Sequence, residues 1–65
     1  MPKFTRGQLQ EMLQPLLQYY PERDRALIAD RVCETVLIRQ RQGRMTTFWV
    51  DRVLPSTVRI ASVIS

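Results

Sequence analysis

The sequence predicts a helix-dominated α+β fold: an antiparallel helical hairpin followed by a short C-terminal β-hairpin, in one small domain spanning residues 1–65. Three observations lead there. Two segments carry apolar residues at helical spacing, Pro21 divides them, and the composition turns strand-like after Met45.

The first helix has a complete start signal. Thr5 can cap, Gln8 three residues on can close a capping box, and Phe4 can staple onto Leu9. Leu9, Met12, Leu13, Leu16, Leu17 and Tyr20 then fall within an arc of about 140°. Gln10, Glu11, Gln14 and Gln18 occupy the opposite side. Pro15 lies on that polar side, where a missing hydrogen bond bends the helix convex toward solvent.

Pro21 ends this segment and suits the start of the next. Glu22 and Asp24 favour a first helical turn, Arg39 and Arg41 a last one, and Gly43 a stop, so the second helix is expected from about residue 22 to 41. Ile28, Ala29, Val32, Cys33, Val36 and Leu37 form a broad face for packing on the first helix. Leu27 and Ile38 lie on the far side, flanking Arg31 and Glu34. Apolar residues on two sides call for cover on both, from the β-hairpin or from a second subunit.

From Thr46 to Ser65, Thr, Val and Ile fill nine positions, against six from Thr5 to Met45. That enrichment favours strands near 46–53 and 58–64, with Leu54-Pro55-Ser56-Thr57 as a type I turn. The competing reading is all-α, with three or four short helices. It has Thr47 as cap, Trp49, Val50, Val53 and Leu54 on one face, a break at Pro55, and Ser56 capping a final helix with Ile60, Ala61 and Ile64 inward.

A 65-residue chain buries only roughly 60% of its unfolded surface, so it needs a staple or a partner. One cysteine and no histidine exclude an internal disulfide and a conventional metal site, so no cofactor is expected. Oligomerisation or docking remains, as a homodimer or as a subunit of a complex. Met1 to Arg6 lacks the apolar stretch of a leader, and no run of apolar residues is long enough for a membrane span. A cytoplasmic protein without a membrane partner is expected.

Catalysis is not expected either. Histidine is absent, no carboxylate pair is spaced for acid and base work, and Gly7 and Gly43 are too few for a phosphate loop. Cys33 sits among Ala29, Val32 and Leu37, the setting of a small buried apolar residue.

What stands out is charge. Ten basic residues oppose six acidic ones, and nine of the ten are arginine. Arg39, Arg41 and Arg44 can clamp phosphates, Gln40 and Gln42 can add hydrogen bonds, and Trp49 and Phe48 can stack on unpaired bases if exposed. Arg52 and Arg59 extend this surface. The expected function is that of a small nucleic-acid-binding accessory or regulatory protein, taking DNA or RNA. The alternative is an inhibitor or assembly adaptor that docks on an acidic protein surface. Leu27, Ile38, Tyr19 and Tyr20 are candidates for an interaction or dimer face. A helix-turn-helix fits poorly, because Arg39 stands where the supporting helix wants a small residue.

Overall fold

A computed structural model describes residues 3–64, which form three helices and no strand. Helix α1 spans Arg6–Leu17, α2 spans Glu22–Arg41, and a π-helical turn, Trp49–Val53, runs into α3, Leu54–Ile64. Met1, Pro2, Ser65 and the side chain of Ile64 lie outside the described residues, and with them the inward placement expected for Ile64.

The start of α1 follows its local chemistry. Thr5 Oγ1 accepts the Gln8 N–H at 3.2 Å and Gln8 Oε1 accepts the Thr5 N–H at 2.9 Å, so two otherwise orphaned donors are satisfied reciprocally. Leu9, Leu13 and Leu17 are fully buried at four-residue steps, while Pro15 sits inside the helix on its exposed side. The far end is closed by a residue that lies in the next helix. Arg25 Nε donates to the Leu17 carbonyl at 3.1 Å, which also accepts the Tyr20 N–H at 3.0 Å, and to the Tyr20 carbonyl at 2.9 Å, so it ties the last turn of α1 to the connection that follows.

Helix α2 ends in a Schellman motif. Arg44 N–H donates to the Arg39 carbonyl at 2.9 Å and Gly43 N–H to the Gln40 carbonyl at 3.0 Å, with Gly43 in the left-handed region at φ 69°. A Cβ at Gly43 would meet nothing within 4 Å, so only the backbone resists a side chain there. Gly43→Ala is expected to cost about 1 kcal/mol. Urea midpoints of the wild type, Gly43→Ala and Gly43→Asn check this, with Asn the milder change.

The C-terminal β-hairpin is absent, and the α+β class with it: the chain is all-α over its described residues. Thr46 caps the last helical segment, its Oγ1 accepting the Trp49 N–H at 3.1 Å, one residue before the cap position expected at Thr47. Pro55 neither makes a turn nor breaks the helix. Leu54 N–H donates to the Trp49 carbonyl five residues back, and this wider coil comes where the ring of Pro55 would otherwise press on the Asp51 carbonyl. Ser56 lies within α3 rather than at a start, and Ile60 is 60% exposed instead of inward.

Phe4 meets Gln40 and Thr57 lies across a groove from Thr35, so α1 and α3 both run antiparallel to α2. Leu9, Leu13 and Leu17 from α1, Ile28, Val32, Cys33 and Val36 from α2, and Trp49, Leu54, Val58 and Ala61 from the last segment share one core. Met45, in the α2–α3 connection, is buried with them. No helix among the described residues is long and apolar enough to cross a membrane.

Candidate nucleic-acid interface

The antiparallel arrangement gathers three chain segments at one end of the molecule: the start of α1, the end of α2 and the start of the α3 segment. Residues 3–10 and 35–50 supply this end with Lys3, Arg6, Arg39, Arg41 and Arg44 and with no acidic residue. The remaining residues carry five basic against six acidic side chains. Asp30 reaches Arg6 from the middle of α2, which leaves Lys3, Arg39, Arg41 and Arg44 as the charges of this end without an ion-pair partner among the described residues. Two helix N-termini, capped by Thr5 and Thr46, point the positive ends of their dipoles the same way.

The arginines there divide by role. Arg39 is half-buried, with its guanidinium 4.5 Å from the centroid of the Trp49 ring and its Nη2 donating to the Arg44 carbonyl at 2.7 Å. Its Nε is sealed from water without an acceptor, so the indole contact and the Arg44 carbonyl hold the group between them. Arg41 and Arg44 are exposed, and neither side chain has an ion-pair partner among the described residues. Arg6 makes an exposed ion pair with Asp30 at 3.0 Å.

Several expected contacts are committed elsewhere. Trp49 is 8% exposed, so the condition for stacking on bases is not met; Phe48, next to it, is 68% exposed. The buried Trp49 and Leu54 also remove the face that a recognition helix would need. Gln40 spends its amide on the chain itself, with Nε2 donating to the Phe4 carbonyl at 3.0 Å and Oε1 accepting the Phe4 N–H. That pairing ties the N-terminal segment to the end of α2 and brings Lys3 beside Arg41 around a shallow depression with Leu37. Sequence spacing gave no sign of Lys3, because a side-chain amide imitating a backbone partner 36 residues away leaves no periodic trace.

Arg52 is exposed on the π turn. Arg59 lies two turns farther along, among Leu16, Tyr19, Tyr20, Pro55 and Val58, with a long 3.5 Å contact to Ser56 Oγ. It therefore sits away from the Arg41–Arg44 group. Of the interaction-face candidates, Tyr19 is 80% exposed, Leu27 43% and Ile38 40%, while Tyr20 is half-buried against the core.

Cys33 is fully enclosed. Burial pushes its thiol above the ordinary value, a nearby Arg6 charge opposes this, and Asp30 adds to it. The folded chain thus holds this proton to higher pH than the unfolded chain. The stability it contributes is complete below the unfolded thiol's pKa and is lost as pH rises through the folded value. A thiol-specific reagent at mildly alkaline pH is expected to react with Cys33 only after denaturant is added; immediate stoichiometric reaction of the native protein would contradict the burial. No group of three or more His, Cys, Asp or Glu among the described residues is placed to hold a metal ion.

Comparison of the chain with family models, with curated proteins and with solved structures gave no match.

Proposed function

We propose that this chain is a non-catalytic nucleic-acid-binding accessory protein of the cytoplasm that contacts the phosphate backbone with one end. The observation that carries the reading is the segregation of charge: Lys3, Arg39, Arg41 and Arg44 have no ion-pair partner among the described residues and gather at the end where α1 and the α3 segment begin. Lys3, Arg41 and Arg44 are the contact residues, with Arg52 at the border. Arg39 serves by holding the Arg44 carbonyl in place. With Trp49 and Gln40 engaged internally, little remains to read base edges, so the binding favours no base sequence. Phosphate contacts of this kind release counterions, and affinity falls steeply with salt.

Phe48 favours a second reading. An exposed phenylalanine beside a basic end is what an adaptor would use to dock on an acidic protein surface with an apolar pocket. Retention on immobilised DNA and RNA at low salt, followed by elution with rising salt, separates the two. Failure to bind either polymer at low salt would end the first reading, and a nuclease-insensitive stoichiometric protein partner would support the second.

A further inference from the structure

The outer face of α2 carries a pattern that neither the core nor the basic end uses. Leu27, Arg31, Glu34 and Ile38 lie within roughly 60° of one another on the side turned away from Val32, Val36 and Ala29. All four are exposed, and Arg31 and Glu34 make no ion pair with each other or with another described residue. With Asp24 before them and Arg41 after, they alternate steps of three and four residues, the spacing of a coiled-coil seam.

The order along that seam is acid, apolar, base, acid, apolar, base. Reversed about a point between Val32 and Cys33, it becomes its own complement. Laying a second copy of α2 antiparallel on the first sets Leu27 against the partner's Ile38 and Arg31 against the partner's Glu34. Both contacts recur on the other side of the two-fold axis. The outermost layer sets Asp24 against the partner's Arg41, at a rim where water screens the pair and leaves Arg41 donors for other contacts. A surface that must match itself under a two-fold rotation needs this kind of palindrome. An arbitrary partner would have no need of it.

We infer that the outer face of α2 is an isologous interface, through which two copies of this chain associate as an antiparallel α2–α2 dimer. Leu27 and Ile38 supply the apolar layers, and the paired Arg31 and Glu34 set register and direction. From Asp24 to Arg41 the seam measures roughly 26 Å. One helix face of that length falls short of the ~800 Å2 per partner of a standard interface, so the dimer is expected to be of modest affinity. The inference does not rest on nucleic-acid binding.

Charge reversal tests it without touching the core. Sedimentation equilibrium of the full chain across micromolar to submillimolar concentrations should show a reversible dimer. Arg31→Glu and Glu34→Arg, each alone, set like charges opposite each other on both sides of the axis. Each should weaken association roughly 100-fold while the helical circular dichroism stays unchanged. The double variant Arg31→Glu/Glu34→Arg restores the complement and should return the dimer. An equimolar mixture of the two single variants should do so as well, as a heterodimer. A wild-type monomer throughout the concentration range would overturn the inference. So would single variants that associate as well as the wild type, or a double variant that stays as weak as the singles.

Discussion

Trp49→Ala is expected to remove about half of the stability of the fold or more. The side chain is 8% exposed, lies in the shared core, and is the surface on which the Arg39 guanidinium rests. Truncating a buried tryptophan to alanine costs about 3–5 kcal/mol. A chain of this length has roughly 3–10 kcal/mol in all. The loss does not end at the cavity. Arg39 then has a buried Nε without an acceptor and no ring beneath it, and its bond to the Arg44 carbonyl is its only remaining anchor. Trp49→Phe keeps much of the apolar bulk and a weaker π face, and should cost about 1–2 kcal/mol. Urea denaturation followed by circular dichroism gives both values. In the wild type, indole emission should be blue-shifted and resist iodide quenching. A Trp49→Ala protein with the wild-type urea midpoint would remove Trp49 from the core.

The same residue marks where the sequence stopped being legible. Through Gly43 the local signals act independently of the rest of the fold. The capping box at Thr5 and Gln8, Pro21 between the helices and the left-handed glycine each need only their neighbours, and each is found as read. After Met45 the burial sequence is Trp49, Leu54, Val58, Ala61, with steps of five, four and three residues. The five-residue step spans the π turn and shifts the phase of the apolar stripe. A regular helical wheel therefore puts Val50 and Val53 inward together with Trp49 and Leu54, although the two valines are only half-buried. With the period broken, nine β-branched residues and a central proline read as a hairpin. Packing of Trp49, Leu54 and Val58 against two helices overrides that propensity, which is worth only about 1 kcal/mol across the whole scale.

The basic end was half legible, for a related reason. Runs of arginine are visible in a sequence, but their engagement is not. Arg39, Arg41 and Arg44 look equivalent in the chain, yet the stacking on Trp49 and the bond to the Arg44 carbonyl withdraw Arg39 from the surface. Nothing in the sequence marks Arg25, in the first turn of α2, as the residue whose guanidinium binds the carbonyls at the end of α1.

That division of roles makes the Arg41→Ala/Arg44→Ala variant the informative one for function. Both side chains are exposed and have no ion-pair partner among the described residues, and the Arg44 carbonyl that Arg39 needs belongs to the backbone, so the fold should be kept. Each phosphate contact contributes about one unit to the slope of log affinity against log salt, so removing two should lower that slope by about 2. The loss should be the same for unrelated sequences, because the contacts lie on the backbone of the polymer. Lys3→Ala, added to this pair, should lower the slope by about one more unit, since the Gln40–Phe4 pairing holds it beside Arg41. Arg23→Ala, measured at concentrations where the chain is monomeric, is the control. It removes the same charge from the first turn of α2, at the opposite end of the molecule, and should leave the slope nearly unchanged. Net charge acting from a distance would make Arg23→Ala and Arg41→Ala equivalent. A local cluster requires them to differ, and equal slopes would refute the assignment of binding to this end.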